Sequence, residues 1–299
     1  MHSAIILGVN GYLGCHLSNS LVAQGCKVYG FGRSRAKNIN LSPSVNYFGV
    51  DIFSLDFENI IAKLDAEVIF DFTYIVPPNN FCEISSMQIS LDKYAHLVSK
   101  VFTGRHIIFT SSGGTVYGFS EENIQEERRV SPKLPYAICK VEQEKIIQTS
   151  EASYDILRLT NPYGGLQKVK NGIGFIAQTI HCARQRREML FTVPQETKRD
   201  YIHIDDVVEI YSKFGLEKIN LGVTNISTGK ATRLIDIVDL VYSHFGMNYK
   251  DYLATTNNVK DGFSLINSLC NKKLINITGK KKFNSIEEGL SAVLNSNMG

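Results

Sequence analysis

Three glycines at intervals of three residues, directly after the first apolar run of the chain, constrain its fold more than any other feature. The run Ser3–Leu7 predicts a short buried strand, residues 12–24 predict a helix, and Gly8-Val9-Asn10-Gly11-Tyr12-Leu13-Gly14 joins them. One such glycine permits a tight turn, one lets the backbone approach a pyrophosphate, and one lets helix and strand pack closely. The pattern therefore predicts a dinucleotide site at the helix N-terminus, where free N–H groups meet phosphates. Its candidate cofactor-binding residues are Gly8, Asn10, Gly11, Tyr12, Leu13 and Gly14.

Alternation of buried strands with helices continues after this turn. Continuous apolar runs are typical of parallel strands whose two faces are covered by helices. We predict strands at residues 27–31, 67–72, 106–109 and 154–159, and helices at 79–101 and 136–149. Repetition of this kind predicts an α/β fold with a doubly wound, Rossmann-like parallel sheet.

The pattern changes near residue 165. Shorter strands then alternate with helices, at residues 174–187, 190–193, 205–214, 224–226, 234–245 and 285–294. We predict a dinucleotide-binding domain over residues 1–165 and a smaller substrate-binding lobe over 166–299, with one or two elements crossing back.

Composition excludes several classes of protein. Charged residues are 20% of the chain and the net charge is only +3, so nothing indicates a nucleic-acid partner. The six cysteines lack metal-site and disulfide-scaffold spacing, and we expect them to be reduced, with no metal bound. No stretch has the length of a membrane span and the first residues do not resemble a signal peptide. We therefore expect a cytoplasmic protein without a membrane partner.

The residues after the second strand bear on the choice of cofactor. An acidic side chain there bonds the adenosine ribose of NAD and repels the 2′-phosphate of NADP. The chain has Gly32-Arg33-Ser34 instead, and a guanidinium can grip a phosphate or stack on adenine. We favour NADP(H), with NAD(H) as the alternative in which Arg33 is an exposed loop residue. Asp51 and Ile52 follow the third strand, where Asp51 either accepts from adenine or caps the helix starting near Phe53.

Tyr136 and Lys140 are the candidate catalytic pair. Their four-residue spacing places them on one face of the predicted helix, and a nearby ammonium would lower the pKa of the phenol. The strand at 106–109 leads into Thr110-Ser111-Ser112-Gly113-Gly114-Thr115-Val116-Tyr117-Gly118. These hydroxyls and glycines lie at the edge of the sheet where ligands bind in open α/β folds.

Together these motifs resemble the extended short-chain dehydrogenase/reductase family, in its branch of nucleotide-sugar epimerases, 4,6-dehydratases and 4-ketoreductases. The resemblance covers most of the chain. It rests on the three glycines, Asp51, the Ser111–Gly118 block, Tyr136 with Lys140, residues 158–164 (RLTNPYG), residues 199–207 (RDYIHIDDV) and residues 285–290 (SIEEGL).

The resemblance implies roles for individual residues. Tyr136 would be the acid/base, and Lys140 would position the cofactor ribose and tune Tyr136. A hydroxyl would hold the reacting sugar oxygen. The position usual for it is Gly113, so we expect Ser112 to serve, with Thr115 as the alternative. Asn161 would line the substrate pocket, and Arg199 would contact the substrate diphosphate unless it forms a salt bridge with Asp200 or Asp205. Thr73, after the fourth strand, would face the cofactor.

The reaction is less constrained than the family. Dehydratases of this branch need an acid/base pair where Gly113 and Gly114 stand, so dehydration is not expected. Two interpretations remain: NADPH-dependent reduction of a 4-keto sugar nucleotide, which Arg33 favours, and 4-epimerisation with a tightly held NAD. A non-catalytic dinucleotide sensor is a third interpretation, which the presence of both Tyr136 and Lys140 opposes. Many members of the family form homodimers through two helices of the first domain, so we expect this protein to form a homodimer.

Overall fold

The computed structural model describes residues 2–78, 83–118, 122–165, 167, 174–255 and 265–295. The strands are β1 (Ser3–Leu7), β2 (Lys27–Gly32), β3 (Asn46–Gly49), β4 (Val68–Asp71), β5 (His106–Ser112), β6 (Tyr154–Leu159), β7 (Asn161–Tyr163), β8 (Met189–Phe191), β9 (Lys198–His203), β10 (Gly222–Ile226), β11 (Ala231–Arg233), β12 (Leu253–Thr255) and β13 (Ile266–Asn267). The α-helices are α1 (Tyr12–Ala23), α2 (Leu55–Ile61), α3 (Ile84–His96), α4 (Pro135–Gln148), α5 (Phe175–Arg184), α6 (Ile204–Glu217), α7 (Leu234–His244), α8 (Lys272–Thr278) and α9 (Ile286–Asn295). A π-helical turn, Leu97–Val101, continues α3, and a 3-10 turn covers Tyr249–Tyr252.

The chain forms two compact units. The first contains Met1–Val116, Pro132–Arg158 and Val208–Thr224, and the second contains Tyr117–Ser131, Leu159–Val207 and Asn225–Gly299. The polypeptide therefore passes between the units several times. The division into a dinucleotide-binding domain over residues 1–165 and a substrate-binding lobe over 166–299 stays a prediction.

A seven-stranded sheet organises the first unit. Its strand order is β3-β2-β1-β4-β5-β6-β10, and the pairs from β3 to β5 are parallel. The order reverses between β1 and β4, which is the switch point where ligands bind in doubly wound sheets, beyond the carboxyl ends of the strands. The predicted Rossmann-like fold is confirmed.

Apolar strands, together with a helix that begins at a proline, explain why this unit forms. Residues Ala4 to Leu7 of β1 are fully buried, as expected of a central strand covered on both faces. Helix α4 begins with Pro135, whose fixed φ suits the first helical turn. The largest core side chains of the unit include Phe31, Phe57, Tyr94, Phe102 and Phe109.

The second unit has smaller sheets. β9 pairs with β11, β13 and β7, and β12 pairs with β8. Its core gathers apolar side chains of α5, α7 and α9 around Tyr163, Phe191 and Tyr242.

Some elements differ from the prediction. Strands β7 and β9 were not predicted, because Lys198, Arg199 and Asp200 make β9 look like a loop. In the structure Asp200 is buried and accepts from Thr228 and Gly229, which are distant in the chain. The helix predicted from residue 79 begins at Ile84, and residues 79–82 lie outside the described residues. Within the described ranges, no helix is both long enough and apolar enough to span a membrane. The cytoplasmic location and the homodimer stay predictions.

Candidate active site

The glycine turn after β1 has the close packing that a dinucleotide cradle requires. Gly8 has a φ of +79°, and a Cβ there would lie 3.4 Å from the backbone of Phe72, which follows β4. A Cβ on Gly14 would lie 2.5 Å from the carbonyl oxygen of Gly8, so only glycine lets α1 approach the turn this closely. The N-cap of α1 is Gly11, which supplies no capping side chain. The first turn of α1, with Tyr12 and Leu13, therefore presents its N-terminal end to a ligand such as a pyrophosphate.

Asn10 ties this turn to the loop that follows β2. Its Nδ2 donates to the carbonyl of Ala36 at 3.1 Å and to the phenol of Tyr47 at 2.8 Å. Its Oδ1 accepts from the main-chain N–H of Asn38 at 3.0 Å. The side chain predicted to bind cofactor is thus used to hold the loop, and the main-chain carbonyl of Asn10 also accepts from Asn38 Nδ2, at 3.0 Å.

The end of β2 carries no carboxylate. Arg33 is exposed, and a Cβ on Gly32 would lie 3.1 Å from Tyr47 Oη and 3.2 Å from Asn10 Nδ2. The Tyr47 hydroxyl donates to the carbonyl of Ser34 and so fixes the start of the loop. Tyr47 and Asn10 thus place neutral polar groups beside Gly32, and the end of the strand lacks the acid that NAD-binding chains place there.

Asp51 does not cap a helix. The N-cap of α2 is Ser54, whose hydroxyl accepts from the N–H of Phe57 at 3.3 Å. The exposed carboxylate of Asp51 accepts from the N–H of Phe53 at 2.9 Å within the preceding turn. The capping alternative is wrong because the helix begins two residues later than predicted. Ile52 is half-buried and packs against the core of the first unit.

Helix α4 brings Tyr136 to Ser112 at the carboxyl end of β5. The Ser112 hydroxyl lies beside the Tyr136 phenol and acts to lower its pKa, and the Thr115 hydroxyl donates to Ser112 Oγ at 2.8 Å. The structure therefore places both candidate hydroxyls, those of Ser112 and Thr115, in a row that ends at the phenol. Ser112 is the one that contacts Tyr136.

Lys140 lies one turn further along α4 and is buried. Its Nζ donates to the main-chain carbonyls of Thr73 and Thr110, each at 2.8 Å, and lies 4.4 Å from the centre of the Phe109 ring. The side chain therefore bridges the ends of β4 and β5. The Thr73 hydroxyl, which was predicted to face a cofactor, donates to Asp71 at 2.6 Å.

The electrostatics of the pair differ from the prediction. Burial raises the pKa of Tyr136 to about 12, and the hydrogen bond from Ser112 opposes this rise. Burial lowers the pKa of Lys140 to about 8, and the charges of Asp71 and Glu144 oppose that fall. Burial of the phenol outweighs the groups that would lower its pKa, so the pKa of Tyr136 lies above its ordinary value here.

A buried ion pair that the sequence did not reveal anchors α4. Glu144 accepts from Arg158 of β6, at 3.1 Å from Nε and 2.6 Å from Nη2, and also from the hydroxyl of Ser111. Tyr136, Lys140 and Glu144 follow one another at four-residue spacing, so they share one face of the helix. That spacing was visible in the sequence, but its partner Arg158 lies on a distant strand.

Asn161 and Arg199 belong to the second unit. Asn161, on β7, donates to the carbonyl of Asp200 at 2.8 Å. The guanidinium of Arg199, on β9, donates to the carbonyl of Lys198 at 2.7 Å and to that of Leu265 at 3.3 Å. The two residues lie on adjacent strands, since Asn161 pairs with Tyr201. Their predicted contacts with a substrate stay predictions.

Comparison with known proteins gives the family. The sequence model described as "NAD dependent epimerase/dehydratase family" matches residues 4–226. The UDP-glucose 4-epimerase of Mycolicibacterium smegmatis is 26% identical over 247 residues, 76% of this chain and 78% of that protein. The dTDP-4-dehydro-6-deoxyglucose reductase of Escherichia coli is 29% identical over 148 residues, 48% of this chain and 46% of that protein.

Solved structures share the fold. The UDP-glucose 4-epimerase of Thermus thermophilus, determined with NAD, superposes with a TM-score of 0.82 at 20% identity and covers 98% of this chain and 97% of its own. This likeness agrees with the seven-stranded sheet and its switch point. The family resemblance read from the sequence motifs is confirmed, and the chain belongs to the NAD-dependent epimerase/dehydratase family.

Proposed function

We propose that this protein transfers hydride between a nicotinamide dinucleotide and a carbon of a nucleotide-linked sugar, with C4 as the reacting position. The observation that carries the proposal is the position of Ser112 beside Tyr136, one helical turn from a buried Lys140, in the unit that also contains the glycine cradle. This arrangement can hold an oxygen and move a proton beside a bound cofactor. The family membership supports the same chemistry.

Each residue has a distinct task in this proposal. Ser112 donates to the sugar oxygen and holds it, and Tyr136 gives that oxygen a proton during reduction or removes one during oxidation. Lys140 binds the ribose next to the nicotinamide. The bound dinucleotide supplies or accepts the hydride, and the positive charge of its oxidised form lowers the pKa of a nearby phenol.

The preferred reaction is NADPH-dependent reduction of a 4-keto sugar nucleotide. It is supported by the end of β2, where Gly32 and exposed Arg33 replace a carboxylate that would repel a 2′-phosphate. A reductase consumes its cofactor at each turnover, so a site that accepts NADPH suits it. The Escherichia coli protein that matches about half of this chain is named as a reductase.

The second candidate is 4-epimerisation with a retained NAD. It is supported by the UDP-glucose 4-epimerases that match most of the chain in sequence or fold. In this reaction the hydride returns to the same carbon, so no cofactor is consumed. The two reactions share the roles of Ser112, Tyr136 and Lys140.

One set of assays separates the candidates. The purified protein is incubated with NADPH and a dTDP- or UDP-linked 4-keto-6-deoxy sugar while absorbance at the nicotinamide band is followed. It is incubated separately with UDP-glucose and NAD while the C4 epimer is measured. NADPH oxidation identifies the reductase, and interconversion of the sugars without cofactor loss identifies the epimerase. If neither reaction occurs with any substrate of these classes, the proposed hydride transfer is contradicted.

Two variants tie the activity to the site. Tyr136→Phe should lower turnover by at least about 100-fold, because it removes the general acid, while dinucleotide affinity stays near that of wild type. Tyr154→Phe is the matched control at the start of β6, and it should leave turnover unchanged. Arg33→Ser should raise the Kd for NADPH by about 10- to 100-fold with little effect on NAD. An unchanged ratio of the two affinities would remove the argument for NADPH.

A further inference from the structure

Strand β4 ends in a carboxylate that the reaction described above does not use. Asp71 is completely buried. Its Oδ1 accepts from the main-chain N–H of Thr73 at 2.8 Å and from the Thr73 hydroxyl at 2.6 Å, and its Oδ2 accepts from the phenol of Tyr94 at 2.7 Å. Burying a charge costs several kcal/mol unless other groups compensate for it. These three donors are neutral, so they solvate the carboxylate without cancelling its charge.

Thr73 connects this carboxylate to Lys140. Asp71 holds the N–H and hydroxyl of Thr73, and the Thr73 carbonyl accepts from Lys140 Nζ at 2.8 Å. The main chain after β4 is thus fixed from both sides. A change at Asp71 would release the turn that provides one of the two carbonyl ligands of the ammonium, the other being Thr110.

The charge of Asp71 acts on the same ammonium. Burial is the larger influence on Lys140 and lowers its pKa to about 8, whereas Asp71 is the strongest of the groups that raise it. Cys139 and Glu144 also raise it, but Glu144 is already paired with Arg158, at 2.6 Å. The Phe109 ring, on β5, faces the ammonium at 4.4 Å. Asp71 therefore has the largest stabilising influence on the Lys140 ammonium, and its own carboxylate is bonded to neutral donors.

We propose that Asp71 is a positioning residue of the active site: it fixes the Thr73 carbonyl that orients Lys140 and keeps Lys140 positively charged at neutral pH. The inference rests on the proposed function for the consequence to catalysis, since Lys140 there binds the cofactor ribose. The geometry itself depends only on contacts within the first unit.

Asp71→Asn isolates the charge. The asparagine Oδ1 can still accept from Thr73, and its Nδ2 can donate to the Tyr94 oxygen, so the hydrogen-bonded shape is kept. Without the negative charge, the ammonium of Lys140 gives up its proton at lower pH. Activity that needs the ammonium is then lost at a lower pH, so the alkaline limb of the plot of kcat against pH moves toward neutral pH.

The direct test is the titration of Lys140 by NMR, with lysine labelled at Cε with carbon-13 and the signal assigned from Lys140→Arg. We expect the wild-type signal to titrate near pH 8, and that of Asp71→Asn to titrate at least about one unit lower, a tenfold change in the dissociation constant. Asp155→Asn is the matched control, because Asp155 is also completely buried but accepts from Asn220 and Leu221. An unchanged Lys140 titration in Asp71→Asn overturns the proposal.

Thr73→Val provides a second variant in case Asp71→Asn does not fold. It removes the hydroxyl that donates to Asp71 and leaves the buried charge in place. We expect turnover to fall about tenfold with the alkaline limb unshifted; undiminished turnover overturns the positioning role. If the wild-type protein shows no dinucleotide-dependent turnover, the proposed function fails, whereas the NMR titration still tests the link between Asp71 and Lys140.

Discussion

Substituting only one partner of the Glu144–Arg158 ion pair should lower the free energy of unfolding by several kcal/mol. Both side chains are buried, with exposed fractions of 2% and 6%, and the guanidinium donates two bonds to the carboxylate. Glu144→Leu leaves the guanidinium buried without its counter-charge, which costs about 3–5 kcal/mol. The hydroxyl of Ser111 also loses its acceptor, which costs about 1 kcal/mol more. The expected loss of about 4–6 kcal/mol approaches the whole stability of a typical domain, about 5–15 kcal/mol.

The double variant Glu144→Leu/Arg158→Met should recover most of this loss. It removes both charges and fills the site with apolar side chains of similar size, a replacement that is often neutral or stabilising. We expect its free energy of unfolding to lie within about 2 kcal/mol of wild type. Such strong coupling between two substitutions is the signature of a buried pair.

The assay is urea unfolding followed by far-ultraviolet circular dichroism, since the chain contains no tryptophan. Midpoint and slope are compared for wild type, both single variants and the double variant. Glu142→Leu is the control on the same helix, because its pair with Lys145 is exposed, at 40% and 58%, and should be worth less than about 1 kcal/mol. A buried, coupled pair is contradicted if Glu144→Leu costs no more than this control, or if the double variant is no more stable than Glu144→Leu.

Three further predictions follow from other contacts. Gly14→Ala should lower dinucleotide affinity at least about tenfold and the free energy of unfolding by about 1–3 kcal/mol, because its Cβ would lie 2.5 Å from the Gly8 carbonyl oxygen. Isothermal titration calorimetry and urea unfolding measure the two effects, and an affinity equal to that of wild type contradicts the prediction. Arg105→Lys should cost about 2 kcal/mol in urea unfolding, because a lysine cannot reach all four carbonyls that the guanidinium bonds at 3.0–3.2 Å; a loss under about 0.5 kcal/mol contradicts it. Burial raises the pKa of Asp200 to about 7, so the folded state holds a proton that the unfolded state releases near its ordinary value of 3.8. The stability contributed by this proton is complete below pH 4 and is lost as the pH rises through 7. The melting temperature should therefore fall between pH 4 and 8, and it should fall less in Asp200→Asn. An equal dependence of melting temperature on pH in the two proteins contradicts the assignment.

The features that could be predicted from the sequence depend on local spacing. The turn from Gly8 to Gly14 is recognisable because strand, glycines and helix are consecutive, and the structure gives each glycine a close contact. Tyr136 and Lys140 share a helix face by virtue of their spacing alone. The doubly wound parallel sheet was predicted from the alternation of apolar strands with helices.

The features that were missed depend on partners distant in the chain. Asp71 was visible only as a polar residue after an apolar run, because its partner Tyr94 is 23 positions away and Lys140 comes from another helix. The direction of the Tyr136 pKa shift was wrong for a related reason. Spacing places an ammonium near the phenol, but the carbonyls that hold that ammonium and the burial of the phenol itself depend on tertiary packing.

The position of β10 has a consequence for synthesis on the ribosome. It covers the edge of β6, and the turn before it supplies the N–H groups of Asn220 and Leu221 to the buried carboxylate of Asp155. Roughly 60 residues separate β6 from β10 along the chain, so at translation rates of about 5–20 residues per second β6 waits about 3–12 s for its neighbour. During that interval the nascent sheet presents an open strand edge, the kind of surface that recruits other chains. Chaperone protection of ribosome-bound chains should therefore end only after residue 226, the last of β10, has left the exit tunnel.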